Sequence, residues 1–334
     1  MTRRAAALAL ALAAGCPKAP PPERPPPAPA AARAPDAPPG APAPPALHPP
    51  PPAAEAALAG APARLVLHDA GAAPRVRLGA LPTPAGTWGV AHRAETTLQS
   101  SLAGLDSPPV AVPARTVHAA LSGPAPGAPA HTRRLVVRAV DEGGAAGAPP
   151  PAKAPRHPLE GAELTLQPVP GGGWSVAEAP APGPAAALLD ALLSPAGILG
   201  VPLPDSPVGN GARWEHWSRA TQGGLPVVQR LGVQLTVEPG GARTLQVHAT
   251  RWVDAPGPVP LPDPPGATLV GFSSDGTGRV LLVDGEAAPL AAFEDEVQLA
   301  LRVADPSLGA PAAVAVRVHT RVEVVPEPPR PAAP

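Results

Sequence analysis

The distribution of proline sets the first limit on what this chain can fold into. It holds 58 prolines, and residues 17–45 read PKAPPPERPPPAPAAARAPDAPPGAPAPP. Proline locks φ and has no N–H to donate, so a helix interior and a central strand are both excluded there. Little apolar surface is available to offset the entropy of ordering. Residues 16–63 are therefore expected to be a disordered Pro/Ala-rich tether with extended polyproline character. At ~3.1 Å per residue, about 45 residues would reach on the order of 140 Å. Residues 53–59, AAEAALA, suit a single helical turn, too short to hold alone. Residues 141–158 and 327–334 repeat the Pro/Gly/Ala bias and are expected as a loop or linker and a disordered tail. A folded body must come from the remainder, a β-rich first half at 64–140 and a second half at 159–326.

Ahead of the tether the chain opens MTRRAAALALALAAGC. Arg3 and Arg4 make a short positive region, and Ala5 to Ala14 is an unbroken apolar run. Small residues then lead to Cys16. This pattern is that of a secretory signal, residues 1–15. The run is about half the ~20 residues a spanning helix needs. Leu12-Ala13-Ala14-Gly15-Cys16 resembles the lipobox of bacterial lipoproteins. The resemblance implies cleavage before Cys16 and acylation of its sulfur, with palmitate as the tracer. Cys16 is the only cysteine, so it has no internal disulfide partner. Anchoring in the cell envelope follows, in the outer membrane facing the periplasm or the cell surface. The partner implied at this end is the membrane itself.

Net charge is −1, so no strong field recruits nucleic acid or an anionic membrane. The chain has no Tyr, two Phe and five Trp. Base-stacking platforms and aromatic sugar grooves need exposed rings, and neither fits this composition. A core has to be made from Val, Leu and Ala.

Short alternating runs dominate the rest. Residues 64–68, 75–78, 88–99, 114–121 and 133–140 read as strands, with Gly and Pro clusters between them. Residues 163–169 and 174–177 form a hairpin around Gly171-Gly172-Gly173. One helix is expected at about 184–194. Pro184 suits its first position, and Leu188, Leu189, Leu192 and Leu193 share a face. Strands follow at 227–238, 243–253, 267–273, 277–283, 294–304 and 313–325, after one carrying Trp214 and Trp217. Glu238-Pro239-Gly240-Gly241 and Ser274-Asp275-Gly276 are read as turns. In the last strand Val314, Val316 and Val318 alternate with Arg317, His319 and Arg321, so one face packs and the other meets water. The expected fold is mainly β: an antiparallel curved sheet or sandwich with one short helix.

Four features in order resemble an uncharacterised family of myxobacterial-type lipoproteins whose domain has no assigned function. They are the hairpin opened by Leu159-Glu160-Gly161, the Leu-rich helix, the approach Leu203-Pro204-Asp205-Ser206-Pro207-Val208-Gly209-Asn210-Gly211-Ala212-Arg213-Trp214, and Gly276-Thr277-Gly278-Arg279 leading to Leu281. The resemblance implies an envelope lipoprotein of mainly β fold and supplies no catalytic residue.

A search for chemistry yields no catalytic, cofactor or metal assignment. The nine histidines make no metal-ligand spacing such as HExxH. Gly271 to Gly276 lacks the glycine two places after either serine that a nucleophile elbow requires. Glu294-Asp295-Glu296 is read as a solvated strand end rather than a cation site. On a strand, Trp214 and His216 point one way and Glu215 and Trp217 the other. Trp214, Trp217 and Trp252 make a candidate interaction surface. The expected function is a non-enzymatic binding module for an envelope protein or an apolar ligand. A purely structural scaffold is the alternative, and a hydrolase with a dispersed site ranks last. A concave patch of Val, Leu and Trp favours the ligand reading, and a solid core favours the scaffold.

Overall fold

The computed structural model describes residues 46–78, 88–102, 104–124, 129, 132–143, 157–169, 174–176, 192, 201–222, 225–261, 266–282, 290–304 and 311–327. Cys16 and nearly all of the expected 184–194 helix lie outside them. Leu192 is the exception; it is helical and 1% exposed.

The described elements are α1 (Pro52–Leu58), β1 (Ala63–Asp69), β2 (Trp88–Leu102), β3 (Leu105–Asp106), β4 (Val110–Ser122), β5 (Arg133–Glu142), β6 (Glu163–Pro168) and β7 (Trp174–Val176), then β8 (Arg213–Gln222), β9 (Leu225–Val237), β10 (Arg243–Val253), β11 (Val259–Pro260), β12 (Ala267–Leu282), β13 (Leu290–Val303) and β14 (Ala312–Glu327). They form one 14-stranded sheet in the order β1-β8-β9-β10-β12-β13-β14-β2-β4-β5-β6-β7, with β11 on β12 and β3 on β2. Every pairing is antiparallel. The order ends at β1 and β7, so the ladder among the described residues is not closed. The fold is mainly β, as alternation predicts.

The two sequence halves share this sheet. β14 pairs with β2 from Val314 opposite Leu102 to Glu327 opposite Gly89. β1 joins β8 at the other end. Strands β8 to β14 are thus inserted between β1 and β2, while β6 and β7 extend the sheet beyond β5.

Alternation sorts the side chains cleanly. One row across the sheet runs Leu67, Trp214, Val233, Val247, Gly278, Phe293, Val322, Ala94. The next on the same face runs Leu235, Leu245, Val280, Ala291, Val324, His92, Val117. This inner face is packed, with Leu78, Val201 and Val208 from the loops covering it. Trp214 is 1% exposed, and its indole N–H donates to the Pro202 carbonyl at 3.0 Å.

Four local expectations need correction. Residues 75–78 form no strand; Val76 makes a single bridge to Val208. Ser274-Asp275-Gly276 is not a turn. β12 runs through it unbroken, with Asp275 opposite both Thr250 and Glu296. Gly276 and Gly278 are there for closeness instead: a Cβ on either would strike the Phe293 ring. Phe293 fills the space these glycines leave on the sheet surface, the pairing of strand glycine with a cross-strand ring. Glu294-Asp295-Glu296 lies within β13 rather than at a solvated end. Glu294 and Glu296 are exposed, while Asp295 turns inward.

The fourth correction concerns the tether. Residues 52–58 form α1, and Ala54 and Leu58 are each 1% exposed against Trp217 and Val228. A helix this short is marginal alone; burial against the sheet supplies what its length cannot. The ordered body therefore begins inside the stretch expected to be a tether.

Candidate functional site

The outer face carries a site built from two polar rows. In the first, Arg213 on β8 faces Gln234 on β9, Gln234 faces Gln246 on β10, and Gln246 faces Arg279 on β12; Ala292 on β13 follows. In the second, Glu215, Gly232, His248, Thr277, Glu294 and Arg321 follow in register from β8 to β14. These rows line an open trough of ≈ 880 Å³, with His68 of β1 at its end. Gly232 deepens the floor. A Cβ there would meet only the His248 carbonyl, at 3.9 Å, so no side chain or neighbour fills the space above it.

Part of the trough is held rigidly. Glu215 accepts from Arg230 Nε at 3.1 Å and from the Arg230 terminal nitrogen. It also accepts from Trp217 Nε1 at 3.1 Å, and His68 Nε2 lies 3.5 Å away. Burial alone would raise the Glu215 carboxyl. Hydrogen bonding and charge from Arg230, with help from Trp217 and His68, outweigh it and hold the group below the usual carboxylate range. The Arg230 guanidinium lies 5.8 Å from the Trp217 ring centre. Trp217 in turn stacks on Trp252, centroids 6.0 Å apart and planes 17° from parallel. α1 covers this end.

The rest of the trough is uncommitted. Among the described residues, Gln234, Gln246, Arg279 and Glu294 make no side-chain hydrogen bond or ion pair, and Arg213 has only a 3.7 Å contact with Asp69. His248 Nε2 is 2.7 Å from Asp275 Oδ2. No hydroxyl among the described residues hydrogen-bonds His248, so the nucleophile–base contact that covalent hydrolysis uses is not assembled there. No group of three metal-ligating side chains occurs among the described residues.

A second polar cluster lies on the inner face. Arg251 donates to Gln229 at 2.9 Å, to Ser274 Oγ at 3.0 Å and to both Asp295 oxygens at 2.8 and 2.6 Å. Its side chain is 7% exposed and that of Asp295 13%. These bonds, from Arg251 Nε and one terminal nitrogen, cross-link β9, β10, β12 and β13. On the outer face His118 Nδ1 meets Glu327 at 2.8 Å and Nε2 meets Asp141 at 2.9 Å, which ties the end of β14 to β4 and β5.

The predicted tryptophan surface does not form as such. Trp214 points to the packed inner face. Trp217 is on the outer face but 5% exposed beneath α1, and Trp252 is half-buried beside it. Parity along β8 separates Trp214 from Trp217, as read from sequence, and α1 covers what parity left outside. The residues that line the open trough, Arg213, Gln234, Gln246 and Arg279, escaped sequence reasoning because polar side chains on a strand look like ordinary solvated positions. Gly232, a glycine inside a strand, was the available signal.

No protein-family model matches the chain, and no curated protein matches it. Among the described residues no helix is long and apolar enough to cross a membrane.

Proposed function

We propose that this chain is an envelope lipoprotein, acylated at Cys16 and carried on its Pro/Ala-rich segment, whose β-sheet is a non-enzymatic binding module. The resemblance of residues 12–16 to a lipobox, and of the body to myxobacterial-type lipoproteins, supports the anchor. The single observation that carries the binding reading is the trough. Strands β9, β10 and β12, each paired on both sides, still leave Gln234, Gln246 and Arg279 without side-chain partners among the described residues. The described inner face is filled by its own Val, Leu, Phe and Trp, which favours a polar partner over an apolar ligand. A pure scaffold has no use for an unfilled trough floored by Gly232.

Cells making the chain, fed labelled palmitate, should incorporate the label, and Cys16→Ser should abolish it. An unlabelled protein that still begins at Met1 would remove the anchor. A photo-crosslinking residue at Gln246 should form adducts in the envelope that one at Arg138, outside the trough, does not. Equal adducts at both positions would remove the trough as the binding face.

A further inference from the structure

We propose that the trough binds an extended acidic glycan, with Arg213 and Arg279 holding carboxylates on either side of the Gln234–Gln246 pair. This rests on the reading of the outer face as the binding face and names its ligand class.

Hydrogen-bonding stock is the first ground. Arg93, Arg230, Arg317 and Arg321 on the outer face each meet a carboxylate. Arg279 meets none among the described residues, and Arg213 has only its 3.7 Å contact with Asp69. Between them two primary amides stand directly opposite each other. Amides and guanidinium groups suit alternating hydroxyls and carboxylates, and guanidinium holds carboxylate in bidentate fashion.

Charge balance is the second. Glu215 is already engaged by Arg230. Glu294, in register with Thr277 and Arg321, keeps a carboxylate without an ion pair among the described residues at the β13 side of the trough, because Arg321 is held by Glu323. Beside the two rows from β8 to β12 the outward carboxylates are thus Glu215 on Arg230, Asp69 3.7 Å from Arg213 and Asp275 on His248, and Arg279 is the guanidinium that none of them meets.

Geometry separates this ligand from other polyanions. Arg213 and Arg279 are three strand steps apart, roughly 14 Å at the ~4.8 Å strand spacing. Both neighbours of β9, β10 and β12 are hydrogen-bonded, so a peptide finds no free backbone edge to extend. Among the outward side chains of the two rows, Ala292 is the apolar one, and it is too small to hold a peptide side chain. Trp214 and Phe293 are buried on the other face, so no ring is available for base stacking. Recognition falls to hydrogen bonds and charge, which a sugar acid supplies at every residue.

Calorimetry of the full-length chain with polygalacturonate at low ionic strength should show binding that weakens as salt is added. Poly-glutamate, polyphosphate and neutral dextran should each bind at least about tenfold more weakly. Arg213→Gln and Arg279→Gln should each lower polygalacturonate affinity about tenfold, while Arg93→Gln leaves it unchanged. Gly232→Val, which suits a strand and occupies the floor, should abolish binding with the circular dichroism unaltered. Poly-glutamate or polyphosphate binding as tight as polygalacturonate would overturn the proposal, as would no binding or full affinity in Arg279→Gln. Those outcomes leave the crosslinking contrast between Gln246 and Arg138 untouched, so loss of the glycan and loss of the binding face are told apart.

Discussion

Arg251 and Arg279 stand on neighbouring strands and have opposite fates. Arg251, on the inner face of β10, is surrounded by Gln229, Ser274 and Asp295 and spends its hydrogen bonds inside the protein. Arg279, on the outer face of β12, is exposed and spends none among the described residues. The same side chain is structural where the sheet is covered and available where it is open. The difference lies in what faces it, since a buried charge must be paired while a solvated one need not be.

The sharpest way to break the contrast is Arg251→Ala. It leaves the Asp295 carboxylate buried without its partner and should cost about 3–5 kcal/mol in urea unfolding. Replacing Arg251 and Asp295 together by Met and Leu should recover most of that loss, because a buried pair is worth little over well-packed apolar groups. No recovery in the double variant would show that the cluster specifies the fold rather than merely satisfying itself.

Glycines on the two faces give the next test. Gly278→Ala places a methyl against the Phe293 ring and the Ala292 carbonyl and should destabilise by about 1–3 kcal/mol. Gly232→Ala meets open space and should stabilise by roughly 0.5–1 kcal/mol. Melting temperatures of the two variants should move in opposite directions.

Acid sensitivity follows from Glu215. Its carboxyl is held below the usual range when folded, so its contribution is present above the unfolded carboxyl pKa and is lost as pH falls through the folded one. Stability measured against pH should fall on the acid side, and Glu215→Gln should flatten that fall by about 1 kcal/mol or less for so partly exposed a pair. The smallest effect belongs to Arg279→Gln, which should stay within about 0.5 kcal/mol of the parent. A larger change would mean that Arg279 has structural work and the contrast with Arg251 is less than drawn.

Much of the fold was legible. Val314, Val316 and Arg317 declared their faces by parity alone, and the Glu238–Gly241 turn sits where proline and glycine put it, with Gly241 at φ 85°. What was not legible depended on contacts across strands. Ser274-Asp275-Gly276 has turn composition, yet β12 passes through it because Phe293, a strand away, needs the glycine surface. Asp295 looked like one of three solvated acids until its parity met Arg251. The trough was invisible because register, not local pattern, aligns Arg213, Gln234, Gln246 and Arg279.

By itself, the sequence determined where backbone pairing is forbidden, which residues alternate and so which side of each strand is apolar. Proline's missing N–H and the two-residue period of a strand are local facts that need no partner. Only the tertiary structure decided strand order, the insertion of β8 to β14 between β1 and β2, the docking of α1, and which polar side chains found partners. Those outcomes come from long-range register and burial, and a charge or a glycine acquires its role only from what lies across from it.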